Sequence, residues 1–142
     1  MKDNVPFLEI KHLVVEYTSG GAVIHAVNGV NLTLNKGETL GLVGETGAGK
    51  TTVAKAVLRV LPDPPAKIRG GEINLNGENI LSVSEKEMRG IRGKKVSMIF
   101  QDPMTALNPV MTIGSQIAEV IRIHNQVSAA EADVKAMKML EM

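Results

Sequence analysis

The chain has 142 residues, 44% of them hydrophobic, which is enough for one compact domain with a real core. Its 16 basic and 15 acidic residues leave a net charge of +1, so bulk charge argues against a nucleic-acid partner or a membrane surface. Cysteine is absent, which excludes a disulfide scaffold and a thiolate metal site and fits a reducing compartment. Met1 to Pro6 hold no apolar signal core, and no run approaches the ~18 apolar residues of a membrane span, so the reading is of a soluble, cytoplasmic protein.

Phe7 to Tyr17 alternates as a strand, with Leu13, Val15 and Tyr17 on one face and His12 and Glu16 on the other. Ser19-Gly20-Gly21 is a turn signal, and Val23 to Val27 reads as the returning strand. A third strand follows, in which Val30, Leu32 and Leu34 alternate with Asn31, Thr33 and Asn35. A small antiparallel sheet is therefore expected in residues 1–37.

The next stretch organises the chain. Thr39 to Val43 is a short, mostly apolar run, as expected of a buried parallel strand. Gly44-Glu45-Thr46-Gly47-Ala48-Gly49-Lys50-Thr51 then brackets four residues between two glycines and ends in Lys and Thr. Thr52 to Leu61 reads as a helix, with Val53, Val57, Leu58 and Leu61 on one face and Lys55 and Arg59 on the other. Strand, glycine-rich turn and helix aim backbone N–H groups and the positive helix end at an anion. Lys50 would supply a point charge to the outer phosphates, and Thr51 a hydroxyl for Mg²⁺.

Pro62, Pro64 and Pro65 stop that helix. Gly70-Gly71 leads into a strand over 72–75, and Asn76-Gly77 is a hairpin signal. Ser84 and Glu87 have the spacing of a capping box, opening a short helix through Ile91 that Gly93 ends. Arg89, Arg92, Lys94 and Lys95 read as a solvated basic face. Val96 to Phe100 is another mostly apolar run, read as a strand, and Gln101 stands just past its end, where ligand-facing groups of an open α/β sheet lie.

Thr112 is placed to cap a helix with the stripe Ile113, Ile117, Val120 and Ile121. Ser128 to Glu131 is a second capping box, opening a helix that is read as turning Val134, Met137 and Leu140 inward. The five methionines from position 98 through 139 read as core filler. His12, His25 and His124 lack ligand spacing, which argues against a metal–imidazole site.

Taken together, Tyr17, the loop Gly44 to Thr52, and Phe100-Gln101-Asp102-Pro103 resemble the aromatic adenine loop, Walker A motif and glutamine loop of ABC-type ATPases. The run Met98 to Pro109 is especially similar to the ATP-binding subunits of oligopeptide and dipeptide importers. The resemblance implies an α/β fold: a partial P-loop nucleotide-binding core (38–111), preceded by an antiparallel β subdomain (1–37) and followed by the start of a helical subdomain (112–142).

It also implies ATP and Mg²⁺ as cofactors. Lys50 and the loop residues Gly44, Glu45, Thr46, Gly47, Ala48 and Gly49 would hold the β- and γ-phosphates, with Thr52 near the α-phosphate. Thr51 and Gln101 would share Mg²⁺, Gln101 would sense the γ-phosphate beside Lys50 in catalysis, and Tyr17 would stack on adenine. The implied partners are a second ABC ATPase subunit, transmembrane permease subunits docking on the region after Gln101, and, indirectly, an extracytoplasmic solute-binding protein. Nucleic acid is not among them, and the implied location is the cytoplasmic face of the membrane.

The family's signature motif, its strand ending in Asp and the catalytic Glu, and its switch histidine are absent from these residues. Glu119, Glu131 and Glu141 lie on expected helices, so none is nominated as general base. The resemblance thus implies an N-terminal portion in which ATP hydrolysis needs a further C-terminal half. Two alternatives keep the loop but change the class. One is a GTPase or phosphotransferase, although the only Asn-Lys pair, Asn35-Lys36, precedes the loop. The other is a non-catalytic nucleotide-binding fragment.

Overall fold

Strand β1 (Leu8–Ser19) has partners on both edges, each antiparallel: β2 (Ala22–Leu34) on one side and β3 (Ala66–Leu75) on the other. A two-residue β4 (Glu78–Asn79) extends β3, so the order across the sheet is β2-β1-β3-β4. The structure, a computed structural model, describes residues 5–102 and 106–142. These fall into two compact units, one ending at Met88 and the other beginning at Arg89.

The first unit is built on β-branched and leucine side chains, and a register shift separates Ile10 from Leu13 and Val15 along β1. Ile10, Leu13, Val15 and Ile73 are essentially fully buried. Helix α1 (Lys50–Leu58) buries Val53, Ala56, Val57 and Leu58. It ends at Arg59, which adopts left-handed geometry (φ 52°). Arg59 does not stand on an outer polar face as the helical pattern suggested. Its guanidinium donates to the carbonyls of Ile80 (3.2 Å) and Val83 (2.8 Å), which ties the end of α1 to the chain after β4.

Three strand expectations change. Residues 22–34 form one strand, not two, because Gly29 (φ 70°) is an extra residue in the ladder, between Asn28 opposite Val14 and Val30 opposite Leu13. Strand β3 starts at Ala66, ahead of Gly70-Gly71, so the antiparallel sheet draws strands from beyond residue 37. Neither 39–43 nor 96–100 is a strand: the first pairs with nothing among the described residues, and the second has one isolated bridge, Arg92 to Val96. A parallel strand cannot be satisfied by an adjacent hairpin and needs neighbours distant in sequence. Without them Leu40 and Leu42 stay half-exposed, and Val43 and Ile99 are 91% and 95% exposed.

The turn and cap chemistry forms as its residues require. Asn76 (φ 50°) and Gly77 (φ 82°) make the β3–β4 hairpin turn. Ser84 and Glu87 close a reciprocal capping box at the start of α2 (Glu85–Ile91). In the second unit, Thr112 accepts from the Ser115 N–H at the start of α3 (Ile113–Asn125), and Ser128 and Glu131 close a full capping box on α4 (Ala129–Leu140). The two helices meet through Ala118 and Ile121 on α3 and Ala132 and Ala136 on α4, with Ile117 and Val127 packed against them.

The inward stripes expected for these helices are only partly buried. Ile113 and Val120 on α3, and Val134, Met137 and Leu140 on α4, are exposed, as are Met111 and Met139. Two helices meeting through alanines present a contact narrower than the apolar stripe each one carries. Met111, Met137 and Met139 are therefore surface here rather than core filler, and Met98 is half-buried. Met104 lies outside the described residues.

Candidate functional site

Helix α1 starts without help from any side chain. Its N-cap is Gly49, no side chain accepts from its first amides, and no acidic residue stands in its first turn. The N–H groups of that turn point out of the helix end together with the positive end of its dipole. Gly49 has φ 84°, a conformation that side chains rarely adopt, and a Cβ there would collide with the carbonyl oxygen of Ala26 on β2. The loop is thus seated directly on the sheet. Val27, the next residue of β2, is buried and lies opposite Val15 on β1.

Lys50 folds back over the loop. Its Nζ donates to the carbonyls of Gly44 (2.6 Å) and Glu45 (2.5 Å), two of the three N–H groups an ammonium carries. The loop closes on itself through the Ala48 N–H to Glu45 carbonyl bond (3.2 Å), and the helix begins with the Val53 N–H to Gly49 carbonyl bond (2.9 Å). Gly44 to Ala48 and Thr51 are exposed, while Gly49, Lys50 and Thr52 are half-buried. A fixed cation beside the amide end of a helix is a site for a multiply charged anion such as a phosphate chain. Thr51 adds an accessible hydroxyl oxygen, the kind of hard donor Mg²⁺ takes together with phosphate and water. Among the described residues no group of three or more His, Asp or Glu side chains is gathered to hold a metal.

Tyr17 is half-buried near the end of β1, paired with Ile24 on β2 and Ala66 on β3. It stands two residues beyond Val15, and Ala26, on which Gly49 rests, lies on β2 between the partners of Val15 and Glu16. Gln101 is exposed in a bend of the second unit and does not follow a strand. Asp102 beside it is exposed, and Pro103 lies outside the described residues. In the same unit an apolar groove of about 320 Å³ is lined by Leu107, Ile113, Ile117, Val120 and Met139 among others.

Two parts of this geometry carried no motif. The seat of the loop is a main-chain carbonyl, that of Ala26, to which side-chain patterns are blind. The other is a polar cluster on the sheet. Glu16, whose side chain is only 17% exposed, accepts from Arg69 Nε at 2.8 Å and lies 3.4 Å from His25 Nδ1.

A glycine-rich loop seated on a sheet, with lysine at the first turn of an uncapped helix, defines a P-loop protein. The ABC transporter family model matches residues 27–142, and the chain belongs to that family. It is 44% identical over 135 residues to the oligopeptide transport ATP-binding protein OppD of Bacillus subtilis (strain 168), covering 95% of this chain and 38% of that protein. It is 45% identical over 136 residues to the probable D,D-dipeptide transport ATP-binding protein DdpD of Escherichia coli (strain K12), covering 96% of this chain and 42% of that protein. The chain therefore spans about two-fifths of the length of these curated relatives.

Among solved structures, the ATP-binding cassette MJ0796, a post-hydrolysis dimer bound to ADP and Pi, superposes with a TM-score of 0.76 at 21% identity. The match covers 94% of this chain and 56% of that one, and it establishes the cassette fold. Among the described residues no helix is long and apolar enough to cross a membrane.

Proposed function

We propose that this chain supplies the ATP-binding part of an ATPase that powers the import of short peptides. The observation that carries this reading is the seated loop, with Gly49 against the Ala26 carbonyl and the Lys50 ammonium over Gly44 and Glu45. Lys50 and the amides of the loop hold the β- and γ-phosphates, Thr52 stands near the α-phosphate, and Tyr17 stacks on the adenine. Thr51 offers its hydroxyl to Mg²⁺, with Gln101 as the second protein donor and sensor of the γ-phosphate. Bound Mg²⁺ supplies charge neutralisation at the phosphates. The protein's part in phosphoryl transfer is positioning and electrostatics rather than covalent chemistry.

Peptide as cargo rests on the transport named for the relatives. Pairing with a second ATPase subunit follows from the family and is supported by the dimeric state of the structural neighbour. Hydrolysis in the whole protein would draw on groups beyond those described above. The apolar groove between Leu107 and Met139 is the proposed seat for a helix of a membrane-embedded permease, and the proposed location is the cytoplasmic face of a membrane, as a peripheral subunit. Residues 112–142 then belong to a helical subdomain. Equilibrium dialysis with labelled ATP and GTP, followed by turnover measured on the whole protein with its permease, tests the reading. ATP binding with peptide-coupled hydrolysis is expected; a protein that bound GTP alone would overturn it.

A further inference from the structure

The polar cluster on the sheet lies where the register shifts on both edges of β1. Between Val15 and Glu16 the pairing with β2 moves from Val27 to His25, which leaves Ala26 as an extra residue on β2. Between Val14 and Val15 the pairing with β3 moves from Gly70 to Ile68, which leaves Arg69 as an extra residue on β3. Both strands flanking β1 therefore bulge within one residue of each other, on either side of Val15, and bulges bend strands and re-aim their residues. The Ala26 carbonyl is the seat of Gly49. The Arg69 side chain turns onto Glu16, and His25, the β2 partner of Glu16, approaches the other carboxylate oxygen.

One carboxylate thus spans three strands. Glu16 Oε2 accepts from Arg69 Nε on β3 at 2.8 Å, while Oε1 lies 3.4 Å from His25 on β2. The residue immediately after it is Tyr17, whose own neighbours, Ile24 and Ala66, continue the same two edges. Two bulged edges would leave the rung of Tyr17 free to twist relative to the rung that carries the loop, and a cross-strand clasp at Glu16 opposes that.

We propose that Glu16 is a positioning residue for base recognition: with Arg69 and His25 it fixes the end of β1, so that Tyr17 keeps its place relative to the phosphate loop. This rests on the reading of Tyr17 as the adenine platform. Glu16 touches no part of the nucleotide and acts through Tyr17 alone. Its removal should cost affinity only for ligands that carry a base.

The test is a double-mutant cycle on the full chain, with ATP and inorganic tripolyphosphate as probes and dissociation constants read by calorimetry. Glu16→Gln is expected to weaken ATP about two- to fivefold, the range of a partly exposed ion pair, and to leave tripolyphosphate unchanged. In a Tyr17→Ala background it should have no further effect. Arg69→Met opens the shorter of the two contacts by another route and should give the same pattern. If Tyr17→Ala itself leaves ATP binding intact, the base-stacking reading fails first, and this inference with it. If Tyr17→Ala weakens ATP while Glu16→Gln and Arg69→Met do not, the positioning role is overturned and the stacking survives. Equal losses for ATP and tripolyphosphate would mean that Glu16 merely supports the fold, and would also overturn it.

Discussion

Two apolar parts of this chain have opposite fates. The residues of β1 pair on both edges and bury Ile10, Leu13 and Val15 almost completely. The runs 39–43 and 96–100 are comparably apolar, yet they form no ladder, and Val43 and Ile99 stand in solvent. Composition does not separate the two. What does is where the hydrogen-bond partner sits in sequence: an antiparallel strand finds one across a short turn, whereas a parallel strand takes it from a distant crossover. The phosphate loop lies at the junction, approached by an unpaired segment on one side and fastened to the finished sheet on the other through Gly49 and Ala26.

The sharpest break of this comparison is a pair of truncations. Leu13→Ala should destabilise the first unit by about 2–5 kcal/mol in urea unfolding, the cost of a cavity in a packed core. Val43→Ala should stay within about 0.5 kcal/mol, as for an exposed side chain without partners. Comparable losses at both positions would mean that residues 39–43 are packed in solution. A Cβ at the junction comes next. Gly49→Ala must push back a main-chain oxygen from a conformation alanine disfavours, and should cost about 1–3 kcal/mol in the same assay.

Helix ends give smaller effects, confined to the second unit. Ser128→Ala removes half of the capping box on α4 and should cost about 1 kcal/mol of helix stability, read by circular dichroism melting. The partner carboxylate makes the cap sensitive to acid. The Ser128 N–H, and then its hydroxyl, hold Glu131 below the ordinary carboxylate range. A carboxylate lowered by folding contributes fully above its unfolded pKa and loses that contribution as pH falls through the folded one. Helicity of α4 should therefore hold at neutral pH and fray only in acid below the ordinary glutamate range. An NMR titration of the Glu131 carboxyl checks this.

How legible each part was in the sequence follows from how local its physics is. The loop from Gly44 to Thr51, the boxes at Ser84–Glu87 and Ser128–Glu131, the cap at Thr112 and the turn at Asn76-Gly77 all depend on residues within a few positions of one another. Each could be read directly. Gly29 was ambiguous because a glycine at positive φ serves a bulge as well as a turn, and only the pairing of β2 with β1 decides between them. Arg59 has the spacing of an outer helical face, but the carbonyls of Ile80 and Val83 that receive it are set by tertiary packing. The stripes of α3 and α4 announced helices correctly and could not say how wide a partner surface each would meet. The clasp at Glu16 was invisible because it depends on two bulges that shift the register on either side.

The central claim is that the loop seated on β2 binds a nucleotide through the Lys50 charge and the amides of α1. Equilibrium dialysis of Mg-ATP against the wild-type protein and Lys50→Ala tests it most directly. Loss of a charge-assisted contact to the outer phosphates should weaken binding about 100-fold or more, with the fold unchanged by circular dichroism. Unchanged ATP affinity in a folded Lys50→Ala variant would contradict the claim.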